Sequence, residues 1–317
     1  MALTRKSEFG LIDAFVAAFA RTGARVSGGL VRVGPGDDCA VLAPEKNELC
    51  VTTDAVVENV HFNRRTFSFE DIGHKALAVN LSDLASMGAR PGWFVCAIAS
   101  PKSLSASEIR RLARGMGALA KLHDITLVGG NFTGASELSI TLTAAGTVAA
   151  GKALLRSGAR NGDLLYVSGT LGDAAVGLDA GRSSKRQRRP EPRVELGLLA
   201  REFASAAIDI SDGFAQDLGH LCEASRLRAI VGTARLPRSS AVRRLGDEGV
   251  QLALSGGEDY ELILAIPAQK ARAFEAACSR RGQVVTRVGA FTRGRGVQLV
   301  DAKGAPLPTP RGFDHFR

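Results

Sequence analysis

Eight acidic residues lie beside glycine turns or at the ends of apolar runs: Asp37, Asp38, Asp54, Asp83, Asp209, Asp212, Glu258 and Asp259. Three of them fall in GPGDDCAVLAPEKNELCVTTDAVVENVHF, residues 34–62, where His61 follows Asp54 by seven positions. Singly, each has an ordinary structural use: Asp37 suits an Asx turn, Asp83 a cap, and Asp212 before Gly213 the start of a helix. Together they predict a cleft in which carboxylates converge and repel one another unless something positive sits between them. Hard cations such as Mg²⁺ take oxygen ligands and are shared between one or two carboxylates and the phosphates of a substrate, so nucleotide phosphates are the natural bridge. Gly34, Gly36, Gly129, Gly130, Gly169, Gly172, Gly256 and Gly257 supply turns where backbone N–H groups can approach phosphate oxygens. The sequence has no G-x-x-x-x-G-K-[ST], and GPGDDC breaks G-x-G-x-x-G at its last glycine, so neither a P-loop nor a dinucleotide fold is supported.

The elements that must position these residues are legible as alternating patterns. ELCVTTD reads as a strand, FEDIGHKALAVNLSDLASMG as a helix, WFVCAIAS as a strand, SASEIRRLARGMGALAKLH as a helix, and ITLVGG and ELSITLTAAGTV as two more strands. After about residue 150 a second unit begins: a turn, the strand DLLYVSG, a glycine-started helix, AAIDISDGFAQDLGHLCEAS as strand into helix, and LALSGGEDYELILAIP as two strands around a glycine turn. The expectation is an α/β or α+β protein of two domains, 1–150 and 151–317, with its acidic residues at strand ends and in loops, where sites are usually built.

Length and composition agree. A chain of 317 residues that is 45% apolar can bury a full core. No apolar run reaches membrane-spanning length, and MALTRKSEFGLIDAFVAAFA carries Glu8 and Asp13 within its apolar pattern, so it reads as an amphipathic first helix of a cytoplasmic protein. The five cysteines are widely spaced and include no CxxC, which argues against a disulfide framework or zinc site. Forty-one basic against 32 acidic residues leaves nucleic acid, an acidic membrane surface or a phosphorylated small molecule as partners. Part of the excess is GRSSKRQRRPEPR, residues 181–193, which reads as an exposed, mobile, solvated loop, with a phosphate-binding or nucleic-acid arm as the alternative. It has no interleaved aromatic to stack a base, which disfavours a nucleic-acid arm.

The ordered series GDDCAVL, TTDAVVENVHF, KALAVNLSDLASMGARP, LVGGN, LLRSGARNGDLLYVSGTLGD, AIDISDG, SGGEDYEL and GFDHF resembles the thiamine-monophosphate kinase family over nearly the whole chain. That resemblance implies an aminoimidazole ribonucleotide synthetase-like fold, a homodimer formed through the N-terminal domains, and ATP held without a P-loop. It implies direct transfer of the ATP γ-phosphoryl group to thiamine monophosphate with several Mg²⁺ ions, and neither nucleic acid nor membrane as partner. By motif position, Asp38, Thr52, Thr53, Asp54, Asp83, Asn131, Asp209 and Asp212 are implied metal residues. Gly130, Asn131, Arg156 and Ser211 should face ATP, and His61, Glu258 and Phe313 should hold the thiamine substrate. The acceptor is already a phosphate oxygen, so no catalytic base is assigned. Asn131 stands where many relatives carry aspartate, and its amide keeps an oxygen without the charge. Structural alternatives remain for His61, a satisfied histidine after a strand, and for Phe313, C-terminal packing. Rival functions are selenophosphate synthetase, which needs a reactive Cys followed closely by Lys near the N-terminus, aminoimidazole ribonucleotide synthetase, and a basic nucleic-acid-binding protein on the same fold.

Overall fold

The structure is a computed structural model and describes residues 31–33, 37–42, 47–176, 181–310 and 312. The expected first helix, Phe313 and most of GFDHF lie outside them. The first unit runs β1 (Val31–Val33), β2 (Ala40–Leu42), β3 (Asn47–Val57), α1 (Phe69–Ser86), β4 (Arg90–Ser100), α2 (Ala106–Leu122), β5 (Thr126–Gly134) and β6 (Ser139–Ala149). The second runs β7 (Leu164–Ser168), α3 (Lys185–Arg188), α4 (Val194–Ala200), β8 (Ala206–Asp209), α5 (Phe214–Ser225), β9 (Leu227–Gly232), α6 (Ser240–Arg243) and α7 (Asp247–Ser255). It ends with β10 (Leu262–Ile266), α8 (Ala271–Arg280), β11 (Val285–Arg293), β12 (Gly296–Val300) and β13 (Pro306–Leu307). The six-stranded sheet has the order β1-β2-β3-β6-β4-β5 and the seven-stranded sheet β13-β12-β9-β11-β7-β10-β8, which is the mixed α/β class expected. Most neighbours are antiparallel, while β4 pairs β5 in parallel through the α2 crossover and β12 pairs β9 in parallel.

Helix starts follow local chemistry. Ser68 accepts from Asp71 N while Asp71 accepts from Ser68 N, and Ser105 and Glu108 make the same reciprocal box at α2. Helix α2 buries one stripe, Leu112, Gly115, Met116 and Leu119, at the spacing of a surface helix. Helix α1 is buried on nearly every side, and the stripe holding Asp71, His74, Lys75, Ser82 and Ala85 faces the second unit. The second sheet is covered on both faces: Tyr166, Leu262, Leu264 and Ile266 join the core shared with the first unit, while Leu165, Val167, Ile263 and Ala265 join a separate core under α5. That alternation explains why LLYVS and LILAI read as unbroken apolar runs.

Three expectations fail. LALS belongs to α7 and is no strand, because short apolar runs fit either period and this one buries Gly249, Ala253 and Leu254 at helical spacing. Within TLGDAAV no helix forms among the described residues: Asp259 accepts from Gly172 N at 2.6 Å and Ala174 N at 3.0 Å, which takes those amides into a turn. The basic segment 181–193 is no solvated loop. Arg186 and Arg193 both pair with Glu261, which is 0% exposed, and Arg188 and Arg189 pair with Asp71. It straps the second unit onto α1.

Helices α1 and α2 touch backbone to backbone: a Cβ on Gly115 would sit 1.9 Å from Glu70 O, and one on Gly73 2.0 Å from Leu112 O. Gly117, on the same helix, has open space. We expect Gly115→Ala to lower stability by about 1–3 kcal/mol through overpacking. Gly117→Ala should raise it by about 0.5–1 kcal/mol through helix propensity. Thermal unfolding of the two variants checks this, and equal midpoints would refute the close packing.

Candidate active site

Asp38, Asp83 and Asp209 come from three distant segments, yet each offers a carboxylate oxygen within 4.8 Å of the others. Asp83 is near the end of α1 and accepts from Thr52 Oγ1 of β3 at 2.5 Å. Asp209 ends β8 and accepts from Ser82 Oγ at 2.6 Å. Asp38 lies before β2 and is gripped by Arg156, whose Nε and Nη2 reach it at 3.1 and 2.5 Å. The Arg156 amide donates to Asp37 at 3.2 Å.

Burial dominates the electrostatics. It lifts Asp83 well above the ordinary carboxylate value, with the charges of Asp209, Asp54 and Asp38 adding to it. Burial and then Asp38 raise Asp209, and burial and Asp38 raise Asp37 to about 6. Desolvation works against the Arg156 cation, but the Asp38 and Asp37 carboxylates overcome it and hold its proton more firmly than usual. One guanidinium therefore answers several converging carboxylates, and an all-oxygen donor set short of positive charge suits a hard divalent cation.

Strand alternation sorts the neighbours. Thr52 and Asp54 share one face of β3, whereas Thr53 turns its hydroxyl the other way, donating to Leu142 O at 2.9 Å. The charge of Asp54 is felt at Asp83. Asp212 follows β8 in a turn held by Asp217, whose buried carboxylate accepts from the amides of Asp212 and Gly213, both at 3.1 Å. Ser211 lies beside the SGGEDYEL loop, its carbonyl accepting from Glu258 N at 2.7 Å. Gly130 and Asn131 sit in β5, opposite Cys96 and Ala97, and are exposed. A Cβ on Gly130 would lie 2.1 Å from Cys96 O.

At a second place Lys75 bridges the His61 carbonyl and Glu258. His61 accepts from Val57 N through Nδ1 at 3.1 Å and lines a cavity of about 410 Å³ with Asn59, Phe62, Phe67, Arg182 and Gln187. Glu258, with φ +68°, takes one hydrogen bond from Lys75 and another from Gln187 at 2.8 Å. Sequence reasoning missed Lys75, Gln187, Ser82 and Asp217. For Lys75 a signal existed: a lone lysine inside the apolar HKALAVNL of a helix buried all round.

Residues 36–148 match the family model described as AIR synthase related protein, N-terminal domain. The thiamine-monophosphate kinase of Haemophilus influenzae is 40% identical over 309 residues, covering 90% of this chain and 92% of that protein. The crystal structure of thiamine-monophosphate kinase from Stenotrophomonas maltophilia is 41% identical, with a TM-score of 0.77 over 95% of this chain and 98% of that one. The solved complex of AaThiL with AMPPCP and TMP superposes with a TM-score of 0.84 at 29% identity, covering 99% of both chains. With its carboxylate cluster, its second cavity and these likenesses along the whole chain, the protein belongs to the thiamine-monophosphate kinase family.

Proposed function

We propose that this chain transfers the γ-phosphoryl group of ATP to the phosphate of thiamine monophosphate, giving thiamine diphosphate and ADP. The carrying observation is the convergence of Asp38, Asp83 and Asp209 within 4.8 Å. Both reactants are anions, and phosphoryl transfer is catalysed mainly by alignment and charge neutralisation. Asp38, Thr52, Asp54, Asp83, Asp209 and Asp212 are the residues that would hold Mg²⁺, with Thr53 and Asn131 as candidates whose side chains lie on other faces of the sheet. When bound, Mg²⁺ supplies the positive charge that the phosphates and carboxylates share. Arg156, Ser211, Gly130 and Asn131 would face ATP, the Arg156 guanidinium turning from Asp38 toward its phosphates. His61, Glu258 and Phe313, the last outside the described residues, would hold the acceptor. The relative solved with AMPPCP, an ATP analogue, and TMP supports both ligands. No chain group is assigned as a base, since the accepting oxygen is already a phosphate oxygen.

We take the working molecule to be a cytoplasmic homodimer of two-domain chains, divided near residue 150, binding neither nucleic acid nor membrane. No helix among the described residues is long and apolar enough to cross a membrane. Strand β5 ends its sheet with Leu127, Val128 and Phe132 each more than half exposed, beside Trp93 of β4. An apolar edge of this kind invites a second copy.

Incubation with Mg-ATP and thiamine monophosphate, followed by chromatography of the thiamine phosphates, should yield thiamine diphosphate. Absence of product from folded protein would overturn the assignment. Asp209→Asn should cut kcat by about 100-fold or more, the scale of lost transition-state charge stabilisation, with circular dichroism unchanged. Wild-type turnover in that variant would remove Asp209 from the metal site.

Linkage gives a further expectation. Asp37, Asp83 and Asp209 have folded pKa values raised above the ordinary 3.8, so their contribution to stability is fully present below that value. It is lost as pH rises through the folded values, Asp37 at about 6 and the others from burial in the same direction. Metal-free protein should lose thermal stability as pH climbs from about 4 to neutrality, and saturating Mg²⁺ should remove much of that slope by supplying the missing charge. Thermal midpoints in EDTA and in Mg²⁺ across this range check it. Parallel curves would refute the cluster as a cation site.

A further inference from the structure

One buried cation has no role in the phosphoryl-transfer geometry above. Lys75 projects from α1 toward the second unit and is 0% exposed. Its Nζ donates to Glu258 Oε1 and, at 2.7 Å, to the carbonyl of His61, and it lies 5.4 Å from the centre of the Phe67 ring. Gln187 Nε2 holds the other Glu258 oxygen at 2.8 Å. Four separate stretches of chain therefore meet at one ion pair: the β3–α1 loop, α1, the basic strap and the SGGEDYEL loop.

An ammonium removed from water needs good partners, because desolvation penalises its charged form. Here burial lowers the pKa of Lys75 and the Glu258 charge works against that lowering. The converse also holds. Glu258 has a backbone in the left-handed region, unusual for a residue with a Cβ, and its amide is tied to Ser211 O. Its side chain is 21% exposed, so it borders open space while both its oxygens are already directed. An unheld glutamate at such a rim samples several rotamers and loses that freedom when a ligand binds.

We propose that Lys75 is a positioning residue for the acceptor: it fixes the Glu258 carboxylate and the His61 loop before thiamine monophosphate arrives, and so sets acceptor affinity without touching the nucleotide. This deepens the proposed function and rests on Glu258 being an acceptor contact. The pair also balances charge. With Lys75 beside it, Glu258 adds no net negative charge near the incoming phosphate, yet its remaining lone-pair directions stay available to the polar edge of a heteroaromatic cation. Selectivity for the acceptor then comes from directed hydrogen bonding more than from bare attraction between opposite charges.

A double-mutant cycle over Lys75→Met and Glu258→Gln tests this, reading the Michaelis constants of thiamine monophosphate and ATP separately. Lys75→Met should raise the acceptor constant by about tenfold or more, the scale of a lost charged hydrogen bond, with the ATP constant changed less than about twofold. In the Glu258→Gln background Lys75→Met should add less than about twofold, since the group it positions is already altered. A merely structural lysine would raise both constants together or act additively with Glu258→Gln, and either result overturns the proposal. If Glu258→Gln raises the acceptor constant and Lys75→Met does not, positioning by Lys75 fails while the acceptor assignment stands. If Glu258→Gln has no effect, the acceptor assignment of Glu258 fails first and the positioning role with it. Should Lys75→Met not fold by circular dichroism, Lys75→Gln, which keeps a donor, supplies the same readings. Failure of both to fold would mark Lys75 as a folding residue and overturn the proposal.

Discussion

Repulsion among three inward-facing carboxylates is the constraint around which this molecule is built. Asp38, Asp83 and Asp209 converge within 4.8 Å, and burial removes the water that would screen them. Without added charge, burial raises Asp83 and Asp209 above the ordinary carboxylate value. Arg156 offsets part of the cluster through its two bonds to Asp38. The rest calls for an external cation, and the phosphates of two anionic substrates bring the same need. Under the proposed function, a site unfavourable on its own would become favourable when metal and nucleotide arrive together.

The fold meets this constraint by placing one helix between two sheets. Helix α1 carries Asp83 to the cluster, and Ser82 beside it donates to Asp209 from the other unit. About two turns toward the N-terminus, Lys75 reaches Glu258, and at the first turn Asp71 receives Arg188 and Arg189 of the basic strap. The carboxylate cluster and the Lys75–Glu258 pair are therefore registered to one rigid rod, at helical spacing. Gly197 completes the contact: a Cβ there would lie 2.0 Å from Ala85 O, so α4 lies directly on α1. Sites built on regular elements hold their geometry better than sites on loops, and phosphoryl transfer depends on alignment.

Much of this was legible in the sequence. The helices FEDIGHKALAVNLSDLASMG and SASEIRRLARGMGALAKLH and the strands ELCVTTD and WFVCAIAS read correctly, because their periods are local properties, whereas Asp54 and Asp83, expected at strand ends and in loops, lie within β3 and α1. Family resemblance supplied the rest of the fold and the named site residues. The failures share one physical cause. LALS and TLGDAAV took their conformations from distant partners, α5 and Asp259, which no window of sequence contains. The basic run looked solvated because its counter-ions, Glu261 and Asp71, lie some 70 residues after and over 100 residues before it. The lone lysine in HKALAVNL marked Lys75, but not its partner Glu258, 183 residues away.

The central claim is that the carboxylate cluster exchanges protons for metal. Calorimetric titration of Mg²⁺ into metal-free protein near neutral pH, repeated in buffers of different ionisation enthalpy, counts the protons released on binding. Net release that shrinks in Asp209→Asn is the result expected, since a cation binds there by displacing the protons that burial holds in place. Binding with no proton release, or with release unaffected by Asp209→Asn, would contradict it.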